Sequence, residues 1–281
     1  STGFVDVVDN VGEIKNSGIE VLLNTVNIVN EDFRWSTDIT FSANKNEVTK
    51  LSSGLMEDIG NNRFVGEAVN SLYYYEVAGI WQTDEATEAA VYGYVPGQVK
   101  FVDQNNDGVI TDADDRIVVG NESPDFTMGI RNMFTYKDFD FSFFAYTRQG
   151  VQWKSNYLDG TFGQVNSDRY NKDASLNYWT PDNPTNEYYG LNGTGGSGKT
   201  PRRSWSVVKA DFWRISDITL GYTLPQNSLE QLGLGRLRVY AQATNPFVFT
   251  DVKGFSPEYN SGVNSDDVPY AMYAIGLNLS F

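Results

Sequence analysis

The 281-residue chain has no cysteine, no histidine, and no apolar run near the ~18 residues that a membrane-spanning helix requires. Without cysteine it can form no disulfide, thiolate metal site or cysteine nucleophile. Without histidine it holds no Ser-His-Asp triad, no His-ligated zinc and no imidazole base. Positive charge is also scarce: 21 Lys and Arg against 36 Asp and Glu leave a net charge of −15. That argues against nucleic acid and against docking on anionic lipid, and it suits an acidic surface that attracts cations. No signal peptide is visible ahead of Ser1. The expectation is a processed terminus or the C-terminal piece of a longer polypeptide.

Aromatics are plentiful, with 17 Tyr, 17 Phe and 6 Trp. Aromatic girdles suit a membrane β-barrel; aromatic loops also suit secreted sugar-binding proteins. Mean hydropathy is −0.40, which excludes apolar helices but not barrel strands, since those are only half apolar. Seven segments alternate over barrel length: 18–28, 33–44, 126–136, 139–149, 212–224, 236–248 and 270–281. Side chains alternate faces along a strand. Thus Phe33, Trp35, Ile39 and Phe41 oppose Arg34, Ser36, Asp38 and Thr40. In the last segment Tyr273, Ile275, Leu277, Leu279 and Phe281 oppose Ala274, Gly276, Asn278 and Ser280. Ending flush on an aromatic matches the closing strand of outer-membrane barrels, so Gly276, Leu279 and Phe281 are candidates for an assembly signal. A wet lumen would take the polar row: Arg34, Asp38, Arg131, Arg148, Asp217, Arg238 and Gln242. The competing reading is a secreted soluble β-sandwich that binds carbohydrate, whose strands alternate too.

Connections alternate short and long. Residues 29–32, Lys137-Asp138 and 225–235 are tight or modest, whereas 45–125 and 150–211 are long and 250–269 intermediate. Short turns on one side and long loops on the other is the outer-membrane arrangement, with the short turns and the C-terminus periplasmic. Seven is odd, and every strand edge must be paired in lipid. The expected fold is therefore all-β: seven antiparallel strands of a larger transmembrane barrel.

The segment from Asp103 to Arg116 carries the strongest local motif. Asp103, Asn105 and Asp107 supply oxygens at positions 1, 3 and 5, Gly108 the turn, Val109 a carbonyl, and Asp114 or Asp115 the carboxylate near position 12. That spacing follows a calcium loop, because a hard cation needs several convergent oxygens, so a structural Ca²⁺ is expected here, with a metal-free Asx-rich turn as the alternative. Gly193 to Thr200 matches the phosphate-binding G-x-x-x-x-G-K-[ST] pattern. No apolar strand precedes it and no helical pattern follows, so a flexible Gly/Ser loop is the better reading than a nucleotidase. Aromatics crowd the long loops, among them Tyr73–Tyr75, Trp81, Tyr94, Trp153, Trp179, Tyr188, Tyr189 and Trp205. They could stack on sugars or peptides, but packing among the loops is the plainer expectation. Acid pairs such as Asp84 and Glu85 read as surface charge rather than glycosidase machinery.

Several runs, taken in order, resemble one family. They are Asn10-Val11-Gly12-Glu13-Ile14-Lys15-Asn16-Ser17-Gly18-Ile19-Glu20, the Asp103–Arg116 loop continuing to Gly120, Tyr178-Trp179-Thr180-Pro181-Asp182-Asn183-Pro184, Phe212 to Pro225, and Leu237-Arg238-Val239-Tyr240. Together they resemble the C-terminal part of SusC/RagA-type TonB-dependent outer-membrane transporters of Bacteroidota. The resemblance implies the last third of a 22-stranded plugged barrel, with no catalytic activity and no organic cofactor. It implies import of oligosaccharides or peptides, a SusD-like surface lipoprotein over the mouth, and energy from TonB. The TonB box, plug and N-terminal domain are absent from this sequence.

Overall fold

Seven long strands make one antiparallel sheet in chain order: β1 (Glu13–Val29), β2 (Phe33–Lys50), β3 (Phe126–Tyr136), β4 (Phe139–Gln149), β5 (Phe212–Thr223), β6 (Arg236–Thr250) and β7 (Met272–Ser280). The computed structural model describes residues 12–155, 177–190, 204–229, 234–252, 256–258 and 269–280. The fold is an up-and-down meander in which each strand pairs with its sequence neighbours. Each of the seven expected segments carries one of these strands.

The turns follow from local chemistry. At the β1–β2 turn, the Asn30 side chain accepts the backbone N–H groups of Asp32 and Phe33 at 3.2 and 2.8 Å, an Asx turn that closes a short loop. At the β3–β4 turn, Lys137 takes a positive φ of 52°, the conformation tight hairpins demand.

Cross-strand partners share a face, so rows run across the sheet. Phe33, Tyr136, Phe139 and Tyr222 form one; Trp35, Phe134, Phe141 and Leu220 form the next. Their rings touch: Trp35–Phe134 at 5.7 Å, Phe134–Phe141 at 5.9 Å and Phe139–Tyr222 at 4.6 Å. Each such pair contributes about 0.5–1.5 kcal/mol beyond simple burial. These aromatic rows lie beside the short turns.

The apolar face is bare. Ile275 is 83% exposed, Tyr273 74% and Leu277 67%; Ile19, Leu220, Phe247 and Phe249 are exposed as well. Among the described residues the other sheets have two strands each, so no second layer of a sandwich covers this face. Three polar side chains set among the apolar rows satisfy one another. Asn132 Oδ1 accepts Trp35 Nε1 at 2.9 Å and the Thr37 hydroxyl at 2.7 Å, and Asn27 donates to Thr37 at 2.7 Å. Internal pairing of this kind is what a water-poor surround requires.

Several boundaries move: β1 begins at Glu13 rather than 18, β6 runs to Thr250 rather than 248, and β7 begins at Met272 rather than 270. β2 continues to Lys50, paired with β1 as far as Glu13, so the long connection begins after residue 50 rather than at 45. Beyond Ala43 the strand reads Asn-Lys-Asn-Glu, polar on both faces, and the hydrophobic alternation that marks a strand is gone. Likewise Gln152–Lys154 pairs with Val207–Lys209, so both ends of the 150–211 connection remain strand.

The long connections fold together. Tyr75, Ile80, Trp81, Tyr94, Val99, Phe101 and Ile110 from the first share a buried core with Trp179, Tyr188 and Tyr189 from the second. Polar bonds join the same two segments: Trp179 Nε1 to Gln82 at 2.9 Å, Ile80 N to Asn186 at 2.9 Å, Gly190 N to the Gly97 carbonyl at 2.8 Å. The loop aromatics thus pack against one another.

Candidate functional site

The polar face carries the candidate residues. Register places Asp38, Arg131, Phe144, Asp217 and Thr244 in one row, and Arg34, Thr135, Asp140, Gly221, Tyr240 and Gly276 in another. Arg148, Arg238 and Gln242 fall on the same side. The seven polar candidates therefore share one face.

Their partners differ. Asp38 accepts Asn24 Nδ2 at 2.7 Å. Asp217 accepts Gln242 Nε2 at 2.7 Å. The Arg131 guanidinium lies 5.2 Å from the Phe144 ring and that of Arg148 5.8 Å from Phe212, within cation–π range. Arg238 reaches across a whole strand to Asp140, with Nε donating to Oδ1 at 2.8 Å and a second N–H donating to Oδ2. Gly221 makes that span possible: a Cβ there would sit 2.4 Å from the Arg238 guanidinium and 2.5 Å from Asp140. Gly276 serves the neighbouring strand similarly, since a Cβ would fall 2.3 Å from the Tyr240 ring. Gly276 and the exposed Leu279 lie on β7; Phe281 and the Gly193–Thr200 loop lie outside the described residues.

A depression of about 730 Å³ opens on the polar face toward the long connections. Its lining includes Glu20, Leu22, Ser42, Thr127, Tyr146 and Arg148. Glu20, Ser42, Thr127 and Arg148 form a single row, with an acid at one end and a guanidinium at the other. Three strand spacings of ~4.8 Å separate the ends. Between these charged ends the surface is open and mainly apolar, and its lining holds no arrangement of nucleophile, base and oxyanion donor.

Beside this groove sits a cluster the alternation did not reveal. Arg214, 3% exposed, pairs with Glu258 at 2.5 Å, and the Tyr146 hydroxyl donates to the same carboxylate. A bulge at Ser216 explains the oversight. Ile215 pairs with Ala145 and Asp217 with Phe144, so the extra residue restores Arg214 to the side of Asp217 although simple parity would oppose them. The only sequence signal was an arginine among apolar neighbours.

The Asp103–Asp115 loop is closed by its own side chains. Asp103 accepts Asn106 N at 2.7 Å and Gly108 N at 2.8 Å; Asp107 accepts Val109 N at 2.8 Å; Asn105 accepts Asp107 N at 3.1 Å and donates to Asp107 at 3.0 Å. Asp114 turns to Thr111. Asp115 is fully buried and accepts the backbone of Thr111 and Gln104 at 2.5 and 2.9 Å. These oxygens face amides rather than a common centre. Among the described residues no three acids, His or Cys converge as a metal shell. As arranged, the residues fit an Asx-stapled turn and do not fit a calcium cage.

Nearby, burial and the Asp112 hydrogen bond push the Tyr75 hydroxyl pKa up. Burial, and then Asp115, does the same to Tyr94. Both phenols stay neutral. Lys100 lies 4.1 Å from the Trp81 ring and donates to Glu85 at 2.8 Å. These groups brace the loop core.

No protein-family model matches the chain, but individual proteins do. TonB-dependent receptor P3 of Formosa agariphila is 34% identical over 92% of this chain and 26% of its own length. TonB-dependent receptor SusC of Bacteroides thetaiotaomicron is 31% identical over 97% of this chain and 27% of its own. A solved structure of the RagAB peptide transporter superposes with a TM-score of 0.73 and 28% identity, covering 100% of this chain and 31% of that one. Along its length the chain is thus homologous to TonB-dependent receptors, SusC among them, and its fold is the antiparallel all-β wall of such transporters. It spans about a quarter to a third of the length of these relatives. The relatives named here are receptors and transporters rather than enzymes.

Proposed function

We propose that this chain is the C-terminal part of the barrel of an outer-membrane TonB-dependent importer of the SusC type. The single observation that carries the reading is that, among the described residues, the sheet is one layer whose apolar face is bare and whose first and last strands each pair on one side only. Hydrocarbon must cover that face, and further strands must close those edges, because unpaired backbone is too costly in lipid. A barrel of 22 strands, plugged by a separate domain, supplies both. The polar row from Arg34 to Gln242 then lines the wet interior, and the long connections face outward, away from the short periplasmic turns.

The transported material is an oligosaccharide or a peptide. Peptides are supported by the RagAB likeness and oligosaccharides by the SusC resemblance. A SusD-like lipoprotein would seat on the loop unit, and TonB would act through the N-terminal part. The chain's own residues bind and orient; none is placed for covalent chemistry.

The complete protein should fold only in detergent or lipid, migrate faster unboiled than boiled on gels, and lose ligand uptake when TonB is deleted. A monomer folded in plain buffer would overturn the reading. Calcium is expected to add nothing: millimolar Ca²⁺ or a chelator should leave loop melting unchanged. Stabilisation by Ca²⁺ that is lost on Asp103→Asn would restore the ligand reading of that loop.

A further inference from the structure

The groove on the polar face is charged at its two ends and mainly apolar between them. Glu20 and Arg148 end the row that runs through Ser42 and Thr127. Glu20 is exposed and Arg148 half-buried, and neither forms an ion pair among the described residues. The Phe212 ring, 5.8 Å from the guanidinium, props Arg148 without neutralising it. The next row, Leu22, Thr40, Gly129 and Tyr146, supplies the floor. At Gly129 a Cβ would lie 2.8 Å from the Thr40 hydroxyl and 3.0 Å from the Phe144 ring, so a larger residue would fill the dent. The Phe144 and Tyr146 rings stack at 6.1 Å beside it.

Opposite charges held apart across an apolar floor select a ligand of the same pattern. A short peptide has it: an ammonium at one end and a carboxylate at the other at neutral pH. Three strand spacings of ~4.8 Å match an extended chain of about four residues at ~3.3 Å each. The Ser42 and Thr127 hydroxyls lie between the ends, where they can bond backbone amides. A neutral oligosaccharide offers neither end a partner, and an acidic one meets Glu20 as a like charge. We propose that this groove binds short peptides by their two ends, the amino terminus on Glu20 and the carboxylate on Arg148. The proposal rests on the importer reading and narrows its two cargo classes to one.

The test is calorimetric titration of the full-length protein, purified in detergent, with tetra-alanine as the probe. Parallel titrations use N-acetylated tetra-alanine, tetra-alanine amide and a neutral glucose tetrasaccharide. Tetra-alanine should bind, and blocking either end should weaken it by about tenfold or more, the worth of a charged hydrogen bond. Glu20→Gln should weaken the free peptide to the same degree and leave the acetylated one unchanged. Arg148→Gln should weaken the free peptide likewise and leave the amide unchanged. No binding of tetra-alanine, as when the plug already fills the groove, would overturn the proposal. So would indifference to the blocked ends, or equal losses for blocked and free peptide in the variants. Dependence on Arg148 with none on Glu20 would mark a purely anionic ligand and overturn it too, as would tighter binding of the tetrasaccharide. Unboiled migration checks that each variant is folded. Failure of the importer reading shows separately, as parent protein without heat-modifiable migration or TonB-dependent uptake.

Discussion

The wall and the loop unit use the same residue types in opposite arrangements. On the wall, Ile275, Leu277 and Tyr273 are among the most exposed residues, and the polar row lies opposite them. In the loop unit, Trp81, Tyr94, Val99, Phe101 and Ile110 are buried and the acids, Asp115 apart, keep some exposure. One region has an ordinary core and needs only water around it. The other, among the described residues, has no second layer on its apolar face, which the proposed barrel would turn to lipid. The contrast teaches that solvent, and not composition, sets which side of a strand is apolar.

The sharpest way to break the comparison is to damage each region by its own rule. Trp179→Ala empties a buried aromatic site and the indole bond to Gln82. It should cost the loop unit about 3–5 kcal/mol. Protease should then cut the loops while unboiled barrel migration stays unchanged. Leu220→Arg puts a charge on the bare face and should cost about 2–4 kcal/mol in liposome unfolding, whereas Thr219→Arg on the polar face should cost little. Equal costs at 219 and 220 would erase the distinction between the faces.

The smallest effect is a pH window on the loop unit alone. The Gln82 backbone N–H, and then Lys100, hold Glu85 below the ordinary 4.5. Its contribution is present above that value and lost as pH falls through the lower folded one. The Glu85 bond raises Lys100 above the ordinary 10.5, so its contribution is complete below that and lost as pH rises further. Loop melting should therefore be flat between about 4.5 and 10.5 and drop outside, by at most about 1 kcal/mol, since the pair is partly exposed. A flat profile beyond both limits would remove the pair from the loop's support.

Much of the wall was legible because alternation is a period-2 signal, and runs such as Phe33 to Phe41 or Tyr273 to Leu279 cannot hide it when one face is apolar. Where both faces are polar, at Asn44 to Glu47, the alternation stops, and the rest of the same strand to Lys50 left no trace. Parity also fails at a bulge: Ser216 shifts the phase, so Arg214 was not among the polar-face candidates and its bond to Glu258, 44 positions away, could not be foreseen. The Asp103 loop shows a different limit. Spacing says which oxygens are near, but their direction depends on which amides claim them first, as Asp115 illustrates. The shared loop core was an expectation of type only, because which aromatics meet depends on contacts across roughly a hundred residues.

A core built from two loops has a mechanical consequence. Trp179 wedged among residues 75–110 ties the two segments, so neither can swing without carrying the other. At the root of the second connection the Asp211 carboxylate takes Gly150 N at 2.7 Å and Val151 N at 3.2 Å; the first is tied to β2 by Val48 N to the Glu67 carbonyl and Gly66 N to the Val48 carbonyl, each at 2.8 Å. A load on either segment is therefore shared by both and reaches the wall at two roots rather than one.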